Sequence, residues 1–305
     1  MSDTFSAVRP FAAADAASVI KLLSVLAPMR VESEESLVWR QSSEPPRSRR
    51  RSWVAVDGEE VVGFATAHMD WYAGERRKAR LWVGVRQERR RRGIGSALWE
   101  AAVEHLRNAR RHTVEVDDDA DGLANVEHLG FTQYDSEVIS RLDPHEASPE
   151  AKPVEGYRVV PLREVRERER DLYEFYGAAG GIPPADPENA VTFEDWRRFI
   201  LGNPLLDEEG SVLVLDEGER IVSLAWLLVD RERGRAENEW TATLPQLRSR
   251  GLARLAKVAT IRWAMANGID EIVTGNDPDN LPMRELNRQL GYKELFVRRD
   301  LEHVV

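Results

Sequence analysis

The 305-residue sequence contains no cysteine. Disulfides, thiolate metal sites and a cysteine nucleophile are therefore excluded. Its six histidines never fall in a ligand spacing such as His-Glu-x-x-His, so metal chemistry is not expected. Long apolar runs are also missing. The longest, Ile221 to Val229, is interrupted by Ser223 and is far shorter than the roughly 20 residues a bilayer-spanning helix needs. The opening residues, Met1-Ser2-Asp3-Thr4-Phe5, lack the basic stretch and apolar block of a secretory signal. A cytoplasmic chain with no membrane partner is expected. Positive charge is in deficit, with 43 Lys and Arg against 53 Asp and Glu and a net charge of −10. A general nucleic-acid binder shows the opposite balance, so no nucleic-acid partner is expected. What remains is a chain 42% hydrophobic and 31% charged, with ample material for a core and no low-complexity bias. Its length is about twice that of a typical domain.

The length is explained by a repeat. Val83-Gly84-Val85 runs through Arg90-Arg91-Arg92-Gly93-Ile94-Gly95-Ser96, and Thr241-Ala242-Thr243 runs through Arg248-Ser249-Arg250-Gly251-Leu252-Ala253-Arg254. Arg90/Arg248, Arg92/Arg250 and Gly93/Gly251 share one offset of 158 residues, and His128-Leu129-Gly130-Phe131 matches Gln289-Leu290-Gly291-Tyr292 at 161. Upstream, Val8-Arg9-Pro10-Phe11 resembles Val159-Val160-Pro161-Leu162. The proline-rich stretch from Asp143 to Pro153 reads as the linker, which divides the chain into domains 1–147 and 148–305. The arginines of the polar patch Gln41 to Arg51, namely Arg47, Arg49, Arg50 and Arg51, read as a solvated turn within the first domain.

Each half alternates strands with helices. In the first, strands are expected at Ser52–Val56 and Val61–Met69 around an Asp57-Gly58 turn, then at Arg80–Val85 and His112–Val116. Apolar residues at helical spacing mark Gly95–Asn108, with a short helix at Gly122–Leu129. The second half repeats the series with strands at Ser211–Leu215, Ile221–Val229, Glu237–Thr243 and Glu271–Thr274, and helices at Leu252–Asn267 and Pro282–Leu290. The fold class is α/β, in the α+β sense of a mixed sheet, written as two tandem modules.

A strand entering R-x-x-G-x-G/A and then a helix can bind phosphate. Glycines let backbone N–H groups approach an anion, the helix N-terminus adds partial positive charge, and the arginines supply charge-assisted bonds. The dinucleotide fingerprint needs a third glycine, and Leu98 and Ala256 stand there instead. No Walker lysine-serine pair follows either turn.

These elements, each followed by a short helix ending Leu-Gly-Phe or Leu-Gly-Tyr, resemble the GNAT N-acetyltransferase superfamily in a tandem arrangement covering residues near 5 to near 300. The layout is like that of mycothiol synthase, and aminoglycoside-type acetylation is a second option; the sequence selects neither. The resemblance implies acetyl-CoA as acyl donor, its pyrophosphate held by Arg90, Arg91, Arg92, Gly93, Ile94, Gly95 and Ser96 in one half. In the other half Arg248, Ser249, Arg250, Gly251, Leu252, Ala253 and Arg254 take that role. It also implies backbone contacts to the pantetheine arm from Val83 and Val85, and from Thr241 and Thr243, in a splay between two strands. The family commonly carries an Asn after the fifth strand and a Tyr in the last helix; the corresponding residues are Asn280 and Asn287 in the second half, and Asp119 and Val126 in the first.

Acetyl transfer to an amine also needs a base. Alternation along a strand would put Glu237 and Glu239 on one face with Thr241 and Thr243, while Leu81 stands in the first half where Glu239 stands in the second. The second half is therefore expected to be catalytic, with Glu239 as base and Asn287 as hydrogen-bond donor to the leaving sulfur, and the first half to be a cofactor-binding or scaffolding copy. The expected reaction is direct attack by the primary amine of a small molecule within a ternary complex, in a monomer containing an internal pseudo-dimer or in a homodimer. The loop Gly177 to Pro187, with Asp186 or Glu188 facing a cation, and the aromatics Trp71, Tyr72 and Trp240 are candidates for the acceptor side. The rival reading is a protein that binds or senses acyl-CoA or CoA without chemistry.

Overall fold

The computed structural model of the chain describes residues 7–72, 77–117, 119–182 and 190–305. It divides into two compact units. The first takes residues up to Ser136, a short segment ending at Val191, and Arg298–Val305. The second takes the residues from Glu137 onward and Thr192–Val297.

In chain order the first unit contains β1 (Ala7–Pro10), α1 (Ala16–Leu26), α2 (Glu34–Ser43), β2 (Arg51–Asp57), β3 (Glu60–Met69), β4 (Lys78–Val85), α3 (Ile94–His105), β5 (Arg111–Val116) and α4 (Ala120–His128). There follow β6 (Thr132–Leu142), β7 (Tyr157–Pro161), α5 (Leu162–Val165), α6 (Glu169–Ala178), α7 (Phe193–Trp196), β8 (Val212–Asp216), β9 (Ile221–Asp230), β10 (Arg235–Thr243), α8 (Leu252–Ala266), β11 (Glu271–Asn276), α9 (Leu281–Leu290) and β12 (Lys293–Val304).

The strands of the first unit lie in the order β1-β2-β3-β4-β5, and those of the second in the order β7-β8-β9-β10-β11. Each series is antiparallel except for one parallel pair, β4 with β5 and β10 with β11. A parallel pair needs a crossover, and α3 and α8 supply it. The edge beyond β5 is completed by residues 299–304 of β12, and the edge beyond β11 by residues 138–142 of β6. Each unit thus borrows its last strand from the other half of the sequence.

Helices cover the sheets and dictate the strand patterns. In the first unit Leu98, Ala102 and Leu106 of α3 and its end pack on Ala65, Ala67, Leu81 and Val85, while Val19, Leu22 and Leu23 of α1 pack with Val54 and Phe64 on the other side. Alternate residues of β2 to β4 therefore serve opposite faces. In the second unit Val258, Ile261 and Ala264 of α8 pack on Leu227, Val229 and Ile272. Every residue of β9 is buried, which accounts for its nearly unbroken apolar sequence.

The polar patch after α2 is only partly a solvated turn. Arg50 is drawn inside, with Nε 2.8 Å from Glu44 Oε1 and NH1 2.9 Å from Thr66 Oγ1. Its charge is matched by a carboxylate that is itself buried, which a reading of arginine density along the chain does not reveal.

Candidate active site

Each unit carries a glycine turn between its fourth strand and the crossover helix, and the two turns have the same backbone. Arg91 and Ser249 both have φ of 62°, and Gly93 and Gly251 have φ of 78° and 82°. The left-handed values at the two glycines cost nothing without a Cβ, and a Cβ added at either would meet no atom within 4 Å. Both glycines cap their helices. The first helical amides to find a carbonyl are Ala97, bonded to Gly93 O at 3.0 Å, and Leu255, bonded to Gly251 O at 3.0 Å. The amides of Ile94, Gly95 and Ser96, and of Leu252, Ala253 and Arg254, are first-turn donors with no intrahelical acceptor. With the helix dipole behind them and open space before them, both turns fit the pyrophosphate of a CoA ester. Arg90 and Arg248 brace the turns identically, donating from Nε to Val85 O at 3.2 Å and to Thr243 O at 3.4 Å.

Both turns stand at the mouth of a strand splay. The parallel pairing of β4 with β5 ends at Leu81↔Val114, and that of β10 with β11 at Glu237↔Val273. Val83 and Val85, and Thr241 and Thr243, lie past those last pairs, on strand whose backbone on that side is not taken by the neighbouring strand. A thioester arm can pair there.

From this point the units diverge. β4 keeps an unbroken register with β3, from Gly63↔Val85 to Met69↔Ala79. β10 does not: Glu237 pairs with Leu228 and Trp240 with Trp226, so that Asn238 and Glu239 together oppose Leu227. This is a β-bulge, one extra residue that bends a strand and re-aims its side chains. It corrects the expected alternation. Glu237 pairs with Leu228 and Thr241 with Ala225, an odd step along β9, so Glu237 lies on the opposite face from Thr241 and Thr243. It also changes which residues correspond. His68↔Arg80 and Thr66↔Trp82 in the first unit match Leu228↔Glu237 and Trp226↔Trp240 in the second. The counterpart of Leu81 is therefore Asn238, and Glu239 has none. Glu239 is exposed.

Behind the bulge is a polar set that sequence reasoning missed. Lys257 of α8 is 1% exposed and donates to Asn238 Oδ1. Asn238 Nδ2 donates to Trp226 O at 2.8 Å, Thr241 Oγ1 donates to Asn238 Oδ1 at 3.0 Å, and Thr274 Oγ1 donates to Asn238 O at 3.0 Å. Burial pushes the Lys257 ammonium down to about 7 and the Tyr292 phenol above its usual range; Nζ sits 4.9 Å from that ring. In the first unit the matching places hold Leu81, Trp99, Phe131 and Val114, all apolar and in one cluster. The signal was present in the sequence: a lysine between Ala256 and Val258, four residues before Ile261, on the stripe that α8 buries.

Asn280 and Asp119 are the N-caps of α9 and α4, accepting from Met283 N at 3.4 Å and from Gly122 N at 3.0 Å. Asp119 also binds the turn, its Oδ2 lying 3.0 Å from Arg90 NH2. Burial alone would raise the Asp119 carboxyl, but the Gly122 amide and Arg90 outweigh it and hold it below the usual carboxylate range. Asn287 is 2% exposed, with Nδ2 donating to Asn276 Oδ1 at 2.6 Å. Its Oδ1 is buried with no hydrogen-bond partner among the described residues.

The sheet faces away from the crossover helices differ as well. In the first unit Arg80 reaches Asp70 at 2.9 Å and Glu115 at 2.7 Å, and His68 lies 3.7 Å from Glu44. Burial, aided by Arg50, holds the His68 imidazole well below its ordinary pKa, so the ring is neutral near pH 7. In the second unit Trp240 lies on that face with its ring centroid 4.3 Å from Tyr176 and 6.3 Å from Phe175. Trp71 is buried against Tyr72 at 5.4 Å in the first unit. Of the loop from Gly177, residues 183–189 lie outside the described residues, Asp186 and Glu188 among them. Among the described residues no cluster of His, Asp or Glu could hold a metal ion, and no helix is long and apolar enough to cross a membrane.

Comparison with known proteins agrees with this geometry. Over 98% of both chains the fold is similar, at 21% identity and a TM-score of 0.76, to a tandem GNAT protein from the clavulanic acid biosynthesis pathway. It is also similar to a GCN5-related N-acetyltransferase from Sphaerobacter thermophilus, at 18% identity and a TM-score of 0.71, over 98% of this chain and 95% of that one. The comparison with curated proteins returned no match. The model of the acetyltransferase (GNAT) family matches twice, at residues 18–131 and 164–292, each match spanning one splay and one glycine turn. The chain is a tandem member of the GNAT acetyltransferase family, whose chemistry is acyl transfer from acyl-CoA to nitrogen.

Proposed function

We propose that the second unit transfers acetyl from acetyl-CoA to the primary amine of a small molecule, and that the first holds acetyl-CoA or serves as scaffold. The observation that carries this reading is the bulge in β10, which puts Glu239 on exposed strand beside the splay and has no counterpart in β4. In the proposed ternary complex the amine nitrogen attacks the thioester carbonyl carbon. Backbone amides of the splayed strand receive the oxyanion. Glu239 takes the proton from the attacking nitrogen through a water, the C–S bond breaks, and CoA leaves as thiolate. A thiol of pKa near 8.5 needs little help to leave, so the absence of the usual Tyr is tolerable. Asn287 keeps one N–H beyond its bond to Asn276 and is proposed to offer it to the sulfur. Trp240, backed by Tyr176, is proposed to contact the acceptor. The residues proposed to hold the cofactor are those of the two turns, 90–96 and 248–254, with Val83, Val85, Thr241, Thr243 and Asn280. We further propose that 1–147 and 148–305 are two copies of one ancestral module working as a monomer.

A second reading, CoA binding without chemistry, is favoured for the first unit by the Arg90–Asp119 pair and by the ion-paired face around Arg80. Titration calorimetry with acetyl-CoA on wild type, Gly93→Glu and Gly251→Glu, followed by turnover of Glu239→Gln on a panel of amines, tests both. Two sites, each removed by its own substitution, with turnover lost only with the second site and with Glu239, is the expected result. Absence of acetyl-CoA binding would overturn the proposal.

A further inference from the structure

The polar set behind the β10 bulge takes part in no step derived so far. An apolar helix stripe gains nothing from a lysine, and a buried ammonium is costly. The first unit fills the same places with Leu81 and Trp99. Among the described residues no ion pair involves Lys257, so its one strong bond is the donation to Asn238 Oδ1. Asn238 in turn is bonded to β9 through Trp226 O, to β11 through Thr274 Oγ1, and to the next turn of its own strand through Thr241 Oγ1. The carboxamide therefore ties α8, β9 and β10 together at the point where β10 carries its extra residue, and the Asn238 carbonyl oxygen adds the link to β11. A bulge leaves ladder groups unpaired and is weakly specified by backbone bonds alone. Here a side-chain network specifies it.

We propose that Lys257 is a positioning residue for acyl transfer: acting through Asn238, it holds the β10 bulge and so fixes Glu239 and the amides from Trp240 to Thr243 relative to the thioester. This rests on the assignment of acyl transfer to the second unit. Lys257 touches neither donor nor acceptor. It acts on the rate because a base or an oxyanion donor displaced by about 1 Å can cost on the order of 100-fold. It leaves donor affinity nearly untouched, because the pyrophosphate cradle is built by the turn at Gly251, whose bonds are independent of Asn238.

The test compares full-length wild type, Lys257→Met, and Lys257→Met/Asn238→Leu, the last restoring the apolar chemistry of the first unit. Amide hydrogen exchange over residues 238–243 and steady-state kinetics with acetyl-CoA are measured for each. In Lys257→Met, exchange at Trp240 and Ala242, whose backbone faces β9, is expected to accelerate about tenfold or more. Its kcat should fall on the order of 10- to 100-fold with KM for acetyl-CoA changed less than about threefold. The double variant should show the same kcat loss with its melting temperature at or above that of wild type. That result keeps the test decisive if the single variant folds poorly. A folded variant with unchanged kcat, unchanged exchange, or a loss confined to KM would overturn the proposal. Failure of the reading beneath it is distinguishable, because wild type would then show no turnover, whether or not it binds acetyl-CoA. The exchange rates would still decide whether Lys257 holds the bulge.

Discussion

The two units share a glycine turn to within a few degrees of φ, and differ at the strand that leads into it. In the first, β4 is regular, its helix-facing side is apolar, and its other face is laced by Arg80, Asp70 and Glu115. In the second, β10 bulges around Asn238 and Glu239, a lysine sits beneath it, and an aromatic cluster stands on the other face. Under the proposed function, the turn holds a CoA ester and the bulge is what puts it to use. A regular copy could not gain that feature by changing one side chain: writing Glu in place of Leu81 would put a carboxylate into the α3 core.

That contrast can be broken or sharpened experimentally. The largest effect is expected from Glu239→Gln, which should lower kcat by about 100-fold or more, as removal of a general base does, while calorimetry shows unchanged acetyl-CoA binding. Equal loss from a substitution in β4 would erase the distinction between the units. Next comes Gly251→Glu. A carboxylate at a left-handed position where phosphate is expected should weaken donor binding to the second unit on the order of 100-fold and abolish turnover, and Gly93→Glu should remove a binding site while leaving turnover within about twofold. Third, Lys257 should leave a signature in the pH dependence of stability. Its folded pKa lies below its unfolded value near 10.4, so the unfolded chain binds more protons between about 7 and 10. Stability contributed by this group is complete above the unfolded pKa and is lost as pH falls toward 7. Chemical denaturation should therefore show wild type gaining stability as pH rises from 7 toward 10, a pH dependence that Lys257→Met lacks. The smallest effect belongs to Asp119→Asn. It gives the first unit the residue type found at Asn280 and releases Arg90 from an exposed pair, and acetyl-CoA affinity at that turn should rise about two- to fivefold at low salt. No change would mean that Arg90 meets the phosphates while still paired.

Much of this was legible in the sequence, because local rules decide it. The order of strands and helices around each turn, the turns themselves and the duplication follow from apolar periodicity and glycine placement, and α3, α8 and α9 begin within one residue of the expected positions. The bulge was not legible. Counting back from Gly251 at a constant offset assumes that no residue has been inserted into β10, and one has, so Glu239 was matched to Leu81. The fate of Arg50 was hidden for a related reason: Glu44 and Thr66 are distant or unremarkable in sequence, and only the packing of β2 against β3 brings them to the guanidinium. Lys257 could have been found by asking why a charge interrupts the buried stripe of a helix.

The borrowed strands impose a timetable. During synthesis β5 emerges with its outer edge bare, and the residues that pair with it, 299–304, are made more than 180 positions later. The unit that is translated first is therefore the one that must wait. Its earliest route to a covered edge is residues 138–142, which in the finished protein lie against β11. A ribosome-bound chain has a choice between a temporary partner and the final one, and the finished arrangement requires that an early pairing be given up or never made. Newly made molecules should thus be most open to strand capture by a neighbouring chain in the interval before residues 299–304 emerge, and slowing translation between β5 and β12 lengthens that interval.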